Sequence, residues 1–241
     1  MLLTVLAMLA FAANSLLCRQ ALREGAIGPV AFTALRLGAG AVALLVIESA
    51  RRRRWHVPGG GSWTSAAMLA IYAGGFSLAY LGLTAGTGAL ILFGCVQVTM
   101  IVWGIVRGER PDRWQWVGLA LAVAGLVYLV SPGLTAPPPT SALLMALAGV
   151  AWGVYSLRGG RDDPIATTAG NFVRTVPLVV IGVVLATGEA VSTAGVLLAV
   201  ISGAITSGIG YVLWYGALRD LTATRAAVVQ LSVPVIAALG G

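Results

Sequence analysis

Two arginines lie inside long apolar segments of this 241-residue chain and are the side chains best placed to do chemistry. Arg36 lies in the apolar stretch 28–47 and Arg174 in the stretch 166–187. A charge at the centre of a membrane helix costs roughly 2.5–3.5 kcal/mol, so such a residue usually faces a bundle interior or a wet cavity. There a guanidinium can bind a carboxylate or a phosphate. The alternative is a structural pair that bonds to backbone carbonyls or reaches an interface.

Polar and aromatic side chains in the other apolar stretches form a second group of candidates. Buried amides need hydrogen-bond partners, and either a polar cavity or a bond between helices supplies them. Several of the aromatic residues also suit a membrane interface. The complete set of candidates for contact with a solute is Asn14, Arg36, Tyr80, Gln97, Trp152, Tyr155, Arg174, Tyr211, Trp214, Gln230 and Ser232.

The residue types used by hydrolytic, redox and metal enzymes are scarce in this sequence. None of the eight acidic residues lies at the centre of an apolar stretch, and the one histidine, His56, follows a run of arginines. Cys18 and Cys95 are isolated within apolar runs. We therefore expect no metal site, no cofactor, no buried proton relay and no enzymatic activity. The sequence also lacks a phosphate-binding loop of the Walker type, so ATP is not the expected energy source.

The elements that must position these residues are membrane helices. The chain is 59% hydrophobic and only 10% charged, too few charges to cover a water-soluble domain of this size. A helix of about 20 apolar residues crosses a ~30 Å hydrocarbon layer, and the alternation of barrel strands is absent. The sequence therefore predicts an all-α integral membrane protein. Its expected spans are 2–18, 28–47, 64–82, 87–106, 114–131, 141–157, 166–187, 194–217 and 222–241.

The arginines are distributed unevenly between the connectors of these spans. Most of them follow the second, fourth, sixth and eighth spans, as in the run 51–54, whereas the other connectors hold only Arg19 and Arg23. The positive-inside rule places the arginine-rich connectors and the N-terminus in the cytoplasm. The net charge of +7 is thereby explained by membrane orientation, so we expect a lipid bilayer and no nucleic acid as partner.

The two halves of the chain resemble each other at an offset of 138 residues. Arg36 then falls on Arg174, and Leu83-Thr84-Ala85 falls on Leu221-Thr222-Ala223. The repeat unit has five spans, and an odd number inverts the second copy in the membrane, as in many secondary transporters. The expected units are 1–133 and 139–241. The counterpart of Gly108-Glu109 would fall beyond the last residue, so we expect about nine transmembrane helices, with a tenth missing.

Four short motifs resemble those of a known family. They are Phe11-Ala12-Ala13-Asn14 with Arg19, Gly108-Glu109-Arg110 with Gln115-Trp116-Val117-Gly118, Ala151-Trp152-Gly153-Val154-Tyr155, and Gln230-Leu231-Ser232-Val233-Pro234-Val235. In order and spacing they resemble the EamA-type permeases of the drug/metabolite transporter (DMT) superfamily, although the first motif lacks that family's Trp-Gly and has Arg for Lys. The resemblance implies two inverted EamA repeats, transport of small metabolites or drugs, often as efflux, and a bacterial inner membrane location.

Three functions are compatible with these patterns. A solute carrier working by alternating access is the first, with a small-molecule solute as its partner. An intramembrane enzyme is the second, but it would need a buried nucleophile with a base, or metal ligands. A non-transporting membrane assembly protein is the third, and large apolar side chains would fill its interior. The substrate, the coupling ion and the oligomeric state stay open at this point.

The arginine distribution generates a test of topology. Fluorescent-protein fusions placed after residues 55 and 160 should fluoresce, because both connectors are expected in the cytoplasm. Alkaline phosphatase fusions at the same positions should be inactive, and both readouts should reverse for fusions in the connector at 24–27. The opposite pattern at either arginine-rich connector would contradict the orientation.

Overall fold

In a computed structural model the protein is a bundle of apolar helices. The structure describes residues 1–23, 25–55, 59–110, 113–114, 116–118, 120–121, 124, 136–159, 162–185 and 188–240. The first six helices are α1 (Leu2–Arg23), α2 (Pro29–Arg52), α3 (Trp63–Ala79), α4 (Ala85–Val106), α5 (Pro139–Leu157) and α6 (Pro164–Leu185). They are followed by α7 (Thr193–Ile201), a π-helical segment (Ser202–Ile209), α8 (Gly210–Ala217), a short 3₁₀ turn (Leu218–Asp220), α9 (Ala223–Gln230) and α10 (Ser232–Gly240).

These helices match the predicted spans. The described residues contain seven helical stretches long and apolar enough to cross a membrane, and α3 is a shorter apolar helix. The all-α membrane fold predicted from the sequence is therefore confirmed. The predicted fifth span, 114–131, lies largely outside the described residues. The expected span 194–217 consists of α7, the π segment and α8, and the span 222–241 is divided into α9 and α10.

Proline accounts for the division of the last span. Pro234 lies near the start of α10, and the helical hydrogen-bond pattern is interrupted at Leu231, three residues earlier. Because proline has no N–H, the carbonyl of Gln230 loses its usual helical partner. Pro177, by contrast, lies inside α6 without ending it. The break therefore belongs to Pro234 and lies next to Gln230, a candidate residue of the interior.

The helices of the two halves pack against each other rather than forming two separate bundles. Helix α2 packs on α6, α3 and α4 pack on α5, and α4 also packs on α9 and α10. Helix α1 packs on α7, the π segment, α8 and α10. One continuous core results, to which both halves contribute. Side chains of the first and second halves therefore meet in the interior.

Glycines on α2 and the π segment allow a close approach between the two halves. A Cβ atom on Gly203 would overlap the backbone of Arg36, and one on Gly40 would overlap the ring of Phe172. Gly203 lies in the π segment, whose wider turn often occurs at functional sites. The absence of a side chain at 203 thus brings the π segment against α2 at the level of Arg36.

Carboxylates of one half cap helices of the other. Glu189 accepts hydrogen bonds from the backbone N–H groups of Val30 (3.2 Å) and Ala31 (2.7 Å) at the start of α2. Glu109 accepts in the same way from Ala223 (3.0 Å) and Thr224 (3.2 Å) at the start of α9. Free N–H groups and the helix dipole both favour an anion at a helix N-terminus. The halves are thereby joined at their helix ends as well as in the core.

A network of ion pairs joins the end of α2 to the connector before α6. Buried Glu48 pairs with Arg51 (2.8 Å) and with Arg52, and Arg51 also pairs with Asp163 (2.6 Å). Burial alone would raise the pKa of Asp163, but hydrogen bonds and the positive charge of Arg51 hold it below its ordinary value. We call this region, together with Arg219, the arginine-rich end of the bundle.

The glycine contact generates a test of packing. We expect Gly203→Ala to destabilise the protein by about 1–3 kcal/mol, because the new methyl group must displace the α2 backbone. Gly74→Ala in α3 is the matched control, since a Cβ atom there has open space around it. Thermal unfolding in detergent measures both variants. Equal midpoints for Gly203→Ala and the parent protein would contradict the close approach.

Candidate functional site

Arg36 lies at the centre of the bundle and bonds to residues of both halves. Its side chain is fully buried. Nε donates to the hydroxyl of Ser207 (2.9 Å), and Nη2 donates to the hydroxyls of Tyr72 (3.1 Å) and Tyr211 (2.8 Å). The remaining nitrogen, Nη1, has no hydrogen-bond partner. The guanidinium therefore keeps the two N–H hydrogens of Nη1 available for a further acceptor.

Asn14 extends this polar centre towards α1. Its Nδ2 atom donates to the Tyr72 hydroxyl at 3.3 Å, so Tyr72 links the asparagine to Arg36. Its Oδ1 atom accepts from the hydroxyls of Ser202 (2.7 Å) and Thr206 (3.2 Å) in the π segment. The site is thus a connected network of α1, α2, α3, the π segment and α8. We call it the Arg36 network.

Aromatic rings enclose the Arg36 network. The ring of Trp152 lies 4.6 Å from that of Tyr211 and 5.0 Å from that of Tyr72, measured between centroids. The ring of Phe11 contacts Trp152 edge-on at 5.2 Å. The guanidinium carbon of Arg36 lies 5.1 Å from the centroid of Phe76, within the range of a cation–π interaction. The walls of the site are therefore apolar and planar.

Trp152 is held in place by a hydrogen bond to Gln230. Its indole N–H donates to the side-chain oxygen of Gln230 at 2.9 Å. The amide nitrogen of Gln230 in turn donates to the sulfur of Met100 (3.3 Å) and to the carbonyl of Ala226 (3.2 Å). Gln230 is the last residue before the break between α9 and α10. This broken span therefore holds the indole that covers the Arg36 network.

Nothing among the described neighbours neutralises the charge of Arg36. The groups that accept its hydrogen bonds are hydroxyls, and its other contacts are the faces of Tyr72 and Phe76. In the described part of the chain, Arg36 forms no ion pair. A buried charge of this kind is costly unless it is paired. The arrangement therefore favours an anionic group next to Nη1.

Several residues predicted from the sequence are brought together in this place. Asn14, Arg36 and Tyr211 belong to the Arg36 network, and Gln230 holds Trp152. Trp152 forms the aromatic cover of the network together with Phe11 and Phe76. Trp214 adjoins them, with its ring 5.7 Å from Phe11 and its indole N–H donating to Ser156 at 3.1 Å. Tyr155 lies behind Trp152 at 5.5 Å, and its buried hydroxyl has no hydrogen-bond partner.

The structure places the other predicted residues elsewhere. Arg174 donates to the carbonyls of Gly60 (2.6 Å) and Gly170 (2.8 Å), so its guanidinium bonds to backbone rather than to the Arg36 network. The Tyr80 hydroxyl donates to the carbonyl of Ala85 at 3.3 Å, which joins α3 to α4. Ser232 is exposed and donates to the carbonyl of Val229.

Gln97 has a different environment from these residues. It lies on α4, is fully buried, and neither its amide oxygen nor its amide nitrogen has a hydrogen-bond partner. An unsatisfied buried amide costs about 1–3 kcal/mol per group. Gln97 is therefore another interior residue whose hydrogen-bonding groups are unused.

Sequence reasoning found Tyr211 but missed the other two hydroxyls that accept hydrogen bonds from Arg36. Tyr72 and Ser207 were not among the candidates, although each precedes an aromatic residue of the same site by four positions. Tyr72 and Phe76 are one turn apart on α3, and Ser207 and Tyr211 are similarly spaced across the π segment and α8. Side chains at this spacing share a helix face. A polar residue paired at this spacing with an aromatic residue was the available signal.

Comparison with known proteins gives the family. The model of the EamA-like transporter family matches residues 1–131 and 139–241. The protein PA1977 of Pseudomonas aeruginosa is 53% identical over 243 residues, covering 100% of this chain and 84% of the relative. An uncharacterized transporter of Archaeoglobus fulgidus is 28% identical over 201 residues, covering 76% of this chain and 68% of the relative. The inner membrane transporter YedA of Escherichia coli is 26% identical over 97 residues, covering 40% and 31%.

A solved crystal structure has a similar fold. It superimposes with a TM-score of 0.74 at 21% identity, covering 99% of this chain and 86% of the solved one. At this level of identity the similarity concerns the fold alone. It supports the helix arrangement on which the Arg36 network depends.

The indole contact generates a test of the site. We expect Trp152→Phe to destabilise the protein by about 1–3 kcal/mol, because the oxygen of Gln230 is then buried without its donor. Trp63→Phe is the control, since Trp63 is 60% exposed. The double variant Trp152→Phe/Gln230→Leu should recover part of the loss, because both partners become apolar. Unfolding in detergent measures these variants and the single variant Gln230→Leu, and a double variant whose loss equals the sum of the two single losses would contradict the contact.

Proposed function

Because this chain belongs to the EamA-like transporter family, we propose that it exports a small metabolite or drug-like solute by alternating access. Membrane transport as such follows from the family and from relatives named as transporters. The observation that carries the finer proposal is the Arg36 network, a buried polar centre built from both halves of the chain. In transporters with inverted repeats, the solute site lies near the midplane, between the repeats.

The helix packing supports the proposal of two repeats, 1–133 and 139–241. Helix α3 of the first half packs on α5, the first helix of the second half. In the equivalent pairing, α8 and the π segment of the second half pack on α1, the first helix of the first half. Helix α2 packs on α6, a pairing that exchange of the two halves leaves unchanged. Equivalent pairings suit two units related by an approximate twofold axis. Such units can rock against each other and expose their interface to either side.

The arginine-rich end supplies a closure for this movement. The Arg51–Asp163 ion pair joins α2 of the first half to the connector before α6 of the second. Arg219 strengthens the same region by donating to the carbonyl of Asp162 at 2.5 Å. We place this end in the cytoplasm, following the positive-inside rule. A solute entering from the cytoplasm would then require the Arg51–Asp163 pair to separate.

The proposed solute site consists of the Arg36 network and its aromatic cover. Arg36 supplies the charge, Asn14 and the hydroxyls of Tyr72, Ser207 and Tyr211 supply polar contacts, and Trp152 supplies an apolar face. We assign Arg174 a structural role instead, because backbone carbonyls occupy its guanidinium. The proposed location is a bacterial inner membrane, with the N-terminus in the cytoplasm.

A non-transporting assembly role is the second candidate. The observation that favours it is the density of aromatic rings around Trp152, with centroids as close as 4.6 Å. A permanently filled interior would not admit a solute. The two candidates differ in whether the interior opens, which a flux measurement decides.

Flux in proteoliposomes tests the proposed carrier. Purified protein should give saturable exchange of at least one member of a panel of small anionic, neutral and cationic metabolites. Arg36→Gln should reduce the rate at least tenfold for a solute that contacts the guanidinium, whereas Arg225→Gln at an exposed position should leave it unchanged. Saturable accumulation in inside-out vesicles should accompany export. Well-folded protein with no saturable flux for any member would contradict the carrier and favour the assembly role.

A further inference from the structure

We infer that the solute is a small organic anion, carrying a carboxylate or a similar acidic group and a net negative charge, and that it binds at Arg36. This inference rests on the proposed function, because it names the class of solute taken by the same site. Two features of the structure support it. They are the unused Nη1 group of Arg36 and the pair Arg19 and Arg23, at the end of the bundle opposite the arginine-rich end.

The first feature is an unpaired positive charge with a free donor. Arg36 is fully buried, its bonded partners are neutral hydroxyls, and its Nη1 atom has no hydrogen-bond partner. The Nε hydrogen and both Nη2 hydrogens point at hydroxyls, so the two Nη1 hydrogens are the donors left for a carboxylate, as charge-assisted hydrogen bonds. An anion at Nη1 would therefore satisfy the free donor and neutralise the charge in one contact.

The second feature is a basic pocket at the end opposite the arginine-rich end. It has a volume of about 570 Å³ and is lined by residues that include Arg19, Arg23 and Thr84. None of the described residues that line it is acidic. Arg19 and Arg23 are also the arginines that depart from the charge pattern of the connectors. An anion-attracting vestibule accounts for that departure, because basic residues concentrate anions near a site.

A short chain of contacts links this pocket to the centre. Arg19 donates to the backbone carbonyl of Tyr80 at 2.8 Å. The ring of Tyr80 contacts that of Phe76 edge-on at 4.7 Å, and Phe76 lies 5.1 Å from the guanidinium carbon of Arg36. The rings of Tyr80 and Phe76 therefore connect Arg19, which lines the pocket, with Arg36 at the centre.

The charges also argue against a cationic or zwitterionic solute. Arg36 repels an ammonium group, and it already lies over the faces of Tyr72 and Phe76, the rings that would otherwise bind a cation. Among its described contacts there is no carboxylate to pair with a zwitterion's ammonium group. The pocket of about 670 Å³ at the arginine-rich end is different, since both Arg51 and Asp163 line it. The preference for anions therefore belongs to the centre and the basic pocket.

A matched series of probes tests this inference by binding. We would titrate the protein in nanodiscs with 3-phenylpropionate, phenylalanine and phenethylamine, which share a phenyl body and differ in charge. Tryptophan fluorescence reports occupancy, because Trp152 covers the site. We expect 3-phenylpropionate to bind at least tenfold more tightly than the other two. Binding of phenylalanine or phenethylamine with equal or higher affinity, or no saturable response to the anion, would overturn the inference.

Variants assign the charge that is responsible. Arg36→Gln should weaken binding of 3-phenylpropionate at least tenfold, and Arg36→Lys should restore part of it, since the charge is kept while the planar guanidinium is lost. Should Arg36→Gln fail to fold, Arg19→Gln provides an independent test, with an expected loss of about threefold that disappears in high salt. Arg225→Gln is the control. Unchanged affinity in folded Arg36→Gln, or in Arg19→Gln at low salt, would overturn the assignment.

The binding and flux measurements distinguish failure of the anion inference from failure of the proposed carrier function. Selective binding of the anion without saturable flux of any solute would remove the proposed carrier and leave the anion site. Saturable flux of cations or neutral solutes without anion binding would support the carrier and overturn the anion inference.

Discussion

The structure depends on one costly interaction, a guanidinium buried in a bundle of apolar helices with no carboxylate among its described contacts. Hydration cannot stabilise Arg36 there, so hydroxyls and aromatic faces must do so. Those groups come from α3 and from the consecutive π segment and α8. These two parts of the chain are distant in sequence but must converge on one point of α2. A charge that is held but not neutralised is unfavourable for stability alone, whereas it suits the binding of an anion.

The backbone makes this convergence possible. Gly203 allows the π segment to contact α2 at Arg36, and the widened π turn lies beside the residues that supply Ser207 and Tyr211. On the other side, the break before Pro234 lies beside Gln230, which fixes the indole of Trp152. Irregular helix geometry is thus concentrated around the site. The glycine contact and the indole contact can be tested by stability alone, independently of any solute.

The sequence predicts most of the helices and some of the residues that form the site. Long apolar runs specify the spans because lipid leaves few alternatives to helix, and Arg36 is conspicuous because a mid-span charge is expensive. The repeat pairs Arg36 with Arg174, yet the two have different partners, since a repeat in sequence does not determine the environment of each side chain. Tyr72 and Ser207 were missed because serine and tyrosine are common in apolar helices, and only the packing of distant helices gives them a role. The π segment likewise depends on tertiary packing.

Access to the Arg36 network from both sides of the membrane tests the central claim most directly. Ser207→Cys, in a background with Cys18 and Cys95 replaced by alanine, places a thiol beside the guanidinium. A membrane-impermeant maleimide applied to right-side-out and inside-out vesicles measures its accessibility. Alternating access predicts labelling from each side, with labelling from one side suppressed when the protein is cross-linked between positions 51 and 163. If folded protein without the cross-link is labelled from neither side, the result would contradict a solute path through Arg36.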